Sequence, residues 1–236
     1  MKSLELSIHD RLVCLILYWT LAYLLMSNDG RGQLSREIIA RTAIKMTDDI
    51  GLEGLSMRKL GSLLGVEAMS LYHYIENKAD LLDAMLDSLF EEINLPQDVP
   101  DDDWETAIRL AMQSFLDVLL KHTAALELVT TRPVKTRSSL DLLVWAAGRF
   151  QSVGLTLEQA SHALHFTVSI AAGHAAIQEA FKAILTEINE PRFDRLDEPT
   201  AAFVRHNRNA AEVEPDMFSA VVDTAIAGLR ANYNLP

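Results

Sequence analysis

Glu158, His162 and His165, with Ser169 one turn further on, have the residue types of a metal or acid–base site. At 100° per residue they fall within about 60° of one another on a helix. Two imidazoles and a carboxylate can bind a metal, which would make the chain a helical metal-dependent enzyme. His174 follows His165 by nine residues and points to the opposite face, removing the nearest additional ligand. Leu157, Leu164 and Val168 form an apolar stripe beside or opposite, so a polar stripe facing solvent or a second chain explains the same pattern. The sequence has no glycine-rich phosphate loop, Cys–His pair or G-x-S-x-G elbow. The expectation is no catalytic residue, no metal and no cofactor, with the Glu158/His162/His165 enzyme as the alternative.

A second set lies in EAMSLYHYIENK. Leu71 and Ile75, four apart, face a core, which leaves Ala68, Met69, Ser70, Tyr72, His73 and Tyr74 largely on the other side. Tyrosine and serine can hydrogen-bond phosphates or base edges, and methionine or alanine can touch a thymine methyl. Packing of the aromatic residues on a neighbouring helix is the competing reading.

The elements that must position these groups are helices. The ten glycines and seven prolines among 236 residues leave little room for the frequent turns of a β-sandwich or barrel. A hydrophobic share of 49% with 23% charged residues excludes a disordered chain. The single cysteine, Cys14, excludes an internal disulfide and suggests a reducing, cytoplasmic setting. Ser35 can cap a first helix that ends at Gly51, and Ser56 caps MRKLGSLLG. A third helix is expected from Glu67 to about Tyr74. Asn77 caps a fourth, with Asp80 placed to reach back as in a capping box. Two short helices joined by a glycine-containing turn are a helix-turn-helix unit, whose second helix enters a DNA major groove. Seven basic and seven acidic residues balance between Arg31 and Asp80, so all of the net −12 lies elsewhere. A neutral module on an acidic body can still approach a polyanion.

The run from Leu34 to Met85 resembles the DNA-binding domain of the tetracycline-repressor (TetR) family of transcriptional regulators. The resemblance rests on GLEGLSMRKL, the LGV turn, SLYHY and NKADLL, in order and without gaps over about fifty residues. It implies that Ser56, Met57 and Arg58 reach the backbone or a base. Ala68, Met69, Ser70, Tyr72, His73 and Tyr74 would line the groove, and Lys78 would hold a phosphate. Arg58 is the expected base reader, since arginine on guanine is the commonest specific contact.

Beyond a Pro- and Asp-rich link, helices are expected at 104–121, 123–130, 136–153, 156–184 and 215–232. A long polar loop with a short helix is expected between Asn189 and Pro215. The spacing of Trp104, Phe115, Thr131-Arg132-Pro133, Gly154 and Gly173 resembles the C-terminal domain of the same family. That resemblance implies an effector pocket and a homodimer built on the last two long helices. The first of these carries Ala160, Ala163, Ala171, Ala172, Gly173, Ala175 and Ala176, which permit close approach of a second chain or pack within one. Phe115 and Thr131 match the family's drug contacts. Its metal- and drug-binding polar positions read Asn94, Ala111, Leu128, Val144 and Ile177 instead. These side chains do not suit a hard cation. A surviving pocket would be apolar, built from Met112, Phe115, Leu119, Leu128, Val144, Trp145 and Phe166 with Thr131; filling of the core is the alternative.

The expected chain is all-α. Its parts are a hydrophobic extension at 1–30, a helix-turn-helix DNA-binding domain at 31–94, and a helical effector-binding and dimerisation domain at 95–236. Its expected role is that of a repressor released from palindromic operator DNA by a largely apolar small molecule, activation through the same DNA module being the alternative. In the extension, residues 12–28 carry no charge, and the apolar run ends at Met26, short of the roughly 20 residues of a membrane span. Translation starting at Met26, a packed helix or a membrane anchor would each account for it.

Overall fold

The computed structural model describes residues 34–122, 124–187, 197–202 and 217–236. The 1–30 extension lies outside these residues, as does most of the expected 189–215 loop, of which 198–202 is helical. The described residues are helical, with no strand among them.

Three short helices come first: α1 (Arg36–Ile50), α2 (Met57–Leu64) and α3 (Ala68–Leu71). Ser35 Oγ accepts from Ile38 N at 3.2 Å and Ser56 Oγ from Lys59 N at 3.3 Å, so both caps form where the hydroxyls stand in the sequence. The third helix is shorter than expected. After Leu71 the backbone tightens into i→i+3 bonds, with Tyr72 N on Met69 O and Tyr74 N on Leu71 O. Ile39, Ala43, Leu60, Leu71 and Ile75 are fully buried beneath this unit.

The turn between α2 and α3 sets a close backbone approach. Gly65 takes the left-handed φ of 69°, and Val66 N donates to Gly61 O at 2.9 Å. A Cβ on Gly61 would lie 2.9 Å from Val66 O and 3.2 Å from Ala68 N, both backbone atoms. Gly61→Ala is therefore expected to lower stability by about 1–3 kcal/mol, although alanine is the better helix former. Urea unfolding of the two chains measures it, and equal midpoints would refute the close approach.

Helix α4 (Lys78–Glu91) leaves this unit and runs to the body. Asn77 Oδ1 accepts from Asp80 N at 3.0 Å, while Asp80 Oδ2 reaches back to Glu76 N at 2.8 Å, one residue before the cap. The body comprises α5 (Trp104–Lys121), α6 (Ala125–Thr131), α7 (Arg137–Gln151), α8 (Leu157–Glu187) and α9 (Met217–Tyr233). At 1.5 Å per residue α8 is about 46 Å long. Its start is a reciprocal box: Thr156 Oγ1 accepts from Gln159 N and Gln159 Oε1 accepts from Thr156 N. The core is continuous from α1 to α9 and centres in the body on Trp104 against Phe150, with ring centroids 5.8 Å apart.

Candidate functional site

The helix-turn-helix surface is held by its backbone and by two lysines. Lys59 Nζ donates to Gly54 O at 3.1 Å and Lys78 Nζ to Leu55 O at 3.2 Å, fixing the loop that delivers Ser56. Met57 packs partly on the core, whereas Arg58 on the same turn is exposed. Met69 is 73% exposed, Tyr72 44% and Tyr74 41%, and His73 is exposed between them. Ala68 and Ser70 are half-buried. The paired tyrosines thus lie open on the outer side of the turn. Burying Leu71 and Ile75 obliges the chain to present their neighbours outward.

Helix α4 ties this unit to the body through carboxylates on several sides. Arg36 grips Asp80 with two hydrogen bonds, at 2.8 and 2.7 Å. The Arg36 guanidinium holds the Asp80 carboxyl below its ordinary range, against a smaller opposing effect of burial. Arg132 Nε donates to Asp83 Oδ1 at 2.6 Å, and its Nη2 donates to Ala79 O at 2.9 Å. Ser139 Oγ donates to Asp87 Oδ1 at 2.6 Å, and Thr136 Oγ1 donates to the same oxygen.

At the far end of α4 an apolar cavity of about 140 Å³ opens within the body. Phe90, Ile93 and Leu95 enter from α4 and its exit, and Ile108, Ala111, Met112 and Phe115 from α5. Val129 and Val134 flank the turn after α6. Leu142, Leu143, Trp145 and Ala146 come from α7, and Leu164, Thr167 and Val168 from α8. Among these lining residues Thr167 carries the one hydroxyl, and it donates to Leu164 O at 2.9 Å; none is charged. Arg149 stacks over Trp145, its guanidinium carbon 5.1 Å from the ring centroid, and donates to Val99 O and Pro100 O. The wall and the link before α5 are thereby fixed together.

Of the residues expected in a pocket, Met112, Phe115 and Trp145 line the cavity, and five do not. Leu119 (3% exposed) and Leu128 (1%) fill the core beside it. Thr131 is exposed, its hydroxyl turned back to Glu127 O. Val144 is 69% exposed because it sits about 100° round α7 from Trp145. Phe166 is 43% exposed on the side of α8 away from Leu164, Thr167 and Val168. Helical phase separates these residues, and the inward set at Leu142, Trp145 and Ala146 was readable from their three- and four-residue spacing.

Glu158, His162, His165 and Ser169 all lie exposed on one face of α8. No group of three His, Cys, Asp or Glu able to hold a metal ion occurs among the described residues. Among the described residues, Glu158, His162 and His165 share an exposed face of α8 and no other element closes over them. Phe166, Gly173, Ala176 and Ile177 extend that outer face, and Ala220, Thr224, Ala227, Gly228 and Ala231 make a similar exposed stripe on α9. Of the small residues on α8, Ala160, Ala163, Ala171 and Ala175 are buried in their own chain, whereas Gly173 and Ala176 face outward. Among the described residues no helix is long and apolar enough to cross a membrane.

Residues 95–233 match the family described as tetracyclin repressor-like, C-terminal domain. The chain is 32% identical over 130 residues to the HTH-type transcriptional repressor DrrR1 of Streptomyces coeruleorubidus, an overlap of 55% of this chain and 48% of that protein. It is 38% identical over 92 residues to the class C tetracycline repressor protein of Escherichia coli, covering 38% of this chain and 42% of the other. The chain thus spans about half the length of the curated relatives it matches. Among solved structures it is similar to the TetR family protein ActR of Streptomyces coelicolor in complex with actinorhodin. The TM-score there is 0.70 at 22% identity, over 85% of this chain and 97% of that one. BioQ with its double-stranded DNA operator gives a TM-score of 0.59 at 19% identity, over 84% and 99%. At these identities the likeness is one of fold.

Proposed function

Because the chain belongs to the tetracycline-repressor family, we propose that it is a sequence-specific DNA-binding transcriptional repressor released from its operator by a small molecule. The observation that carries this reading is the course of α4. It begins at Lys78 beside the exposed Tyr72–Tyr74 surface and ends with Phe90 in the wall of the apolar cavity. One rigid element thus touches both candidate sites. In this reading residues 31–94 bind DNA, and 95–236 hold the effector and dimerise through α8 and α9. The exposed small residues on those helices, and the outer stripe with His162 and His165, supply that interface. A palindromic operator needs two helix-turn-helix units about one turn of the duplex, roughly 34–36 Å, apart.

The effector is largely apolar and uncharged, because no charged side chain among the described residues lines the cavity to compensate a buried ion. An effector that favours a different spacing of the two units weakens operator binding by the same factor by which the operator weakens effector binding. The protein needs no cofactor or metal for this, performs no catalysis, and acts in the cytoplasm where the DNA is.

The test is a gel-shift titration at fixed salt with the DNA flanking the chain's own gene and a scrambled competitor. A retarded duplex that survives the competitor supports the reading; binding equal to scrambled DNA along all of that flank counts against it. A thermal-shift screen then pits neutral aromatic compounds against metal-chelating polar drugs. Shifts confined to the chelators would overturn the apolar effector.

A further inference from the structure

His122 ends α5 with only 5% of its surface exposed, and both of its ring nitrogens are engaged. Nδ1 lies 2.8 Å from Asp48 Oδ2 on α1, and Nε2 lies 3.1 Å from Glu92 Oε2 at the end of α4. Lys121 Nζ donates to the same Glu92 oxygen at 2.6 Å. Burial pushes the Glu92 carboxyl up, but the hydrogen bonds from Lys121 and His122 outweigh it and leave it below its ordinary range. Glu92 is therefore an anion across the neutral range, and it can only accept. A neutral imidazole has one donor and one lone pair, so it cannot serve two ionised carboxylates. Only the doubly protonated ring donates to both. These contacts join α5, which lines the cavity through Met112 and Phe115, to the last turn of α1 and the exit of α4.

We propose that His122 is a positioning residue of the helix-turn-helix unit: its protonated ring clasps α1 and α4 to the body, and loss of one proton opens the clasp. The groups facing the ring are Asp48 from α1, Glu92 from α4 and, on the same Glu92 oxygen, Lys121 from α5. The clasp is closed while the ring carries both protons and Glu92 is ionised, and removal of either ring proton opens it. Once one ring nitrogen carries a lone pair toward a carboxylate oxygen, that contact is repulsive, and the unit gains freedom relative to the body.

The experiment uses the full chain with Cys14→Ser and dye pairs at Glu53→Cys on the head and Gln151→Cys on α7, both exposed positions. Labelled chains are diluted into unlabelled chain, and time-resolved energy transfer gives the width of the head-to-body distance distribution. The protonation of the His122 ring is followed by NMR in parallel, over the pH range in which the chain stays folded. In the parent chain the distribution should broaden about twofold as the ring titrates. His122→Gln should be broad at every pH. Asp48→Asn should stay narrow at every pH, because the amide N–H can donate to Nδ1 of a neutral ring that still donates from Nε2 to Glu92. A width independent of pH in the parent chain, a pH dependence surviving in His122→Gln, or broadening in Asp48→Asn would each overturn the clasp. His73, His162, His165 and His174 remain in all variants and so serve as the internal control.

Discussion

An Arg58→Ala chain should bind the specific duplex about 10–100-fold more weakly than its parent, while its affinity for scrambled DNA changes by no more than about threefold. Arg58 stands exposed on the first turn of α2, and no described residue pairs with it. Among the described residues nothing holds its guanidinium, which can present two parallel donors to a base edge. A phosphate contact would instead lower both affinities together and reduce their dependence on salt. Tyr72→Ala should also weaken specific binding by at least that factor, since Tyr72 projects from the turn after α3 beside Met69 and Tyr74. Tyr72→Phe separates the hydroxyl from the ring. Helicity and oligomeric state should be unchanged in these variants because neither side chain supports the core. Specific affinity retained in both alanine variants would refute the assignment of these residues.

Trp104→Ala is expected to have the largest effect on stability, a loss of about 3–5 kcal/mol. The indole is 2% exposed at the first position of α5 and packs tilted at 51° on Phe150, which is fully buried. Truncation removes the ring and leaves a void between α5 and α7 that their backbones cannot close. Equilibrium urea unfolding measures the loss, and a change below about 1 kcal/mol would show that this core relaxes around the gap. Trp104→Phe should retain most of the stability, which separates the loss of volume from the loss of the helix start.

The fold was legible where local chemistry decides it. Ser35, Ser56 and Asn77 accept the backbone hydrogen bonds expected of cap residues. The body helices fall close to the expected spans because so few glycines and prolines interrupt them. The end of α3 was less legible: its last residues form a tight turn rather than a full helix, a choice set by burying Ile75. At the candidate sites, outward placement of Met69 and the tyrosines follows from the spacing of Leu71 and Ile75. The cavity was only partly readable. Composition marks Phe166 and Val144 as pocket-forming, but helical phase turns both outward, while Phe90 and Ile93 arrive from α4, remote in sequence. Gly61 looks like any helical glycine until the backbone of Ala68 is brought against it. The His122 bridge joins residues 74 and 30 positions distant, and no local periodicity announces such a pairing.

The charged side chains of α4 bear on how modular such a protein is. Asp80 and Glu91 are paired with Arg36 and Arg41 of α1, whereas Asp83, Asp87 and Glu92 are paired with the body. The helix thus belongs to both neighbours, and a cut at either end of it breaks pairings. A chimera joined before Lys78 must bring arginines equivalent to Arg36 and Arg41 in the donated unit. One joined after Glu92 must meet a recipient that already offers Lys121, His122, Arg132, Thr136 and Ser139. Swapping DNA specificity between such proteins is therefore a matter of matching two sets of partners to one helix, and the join should be chosen by whichever set the two parents share.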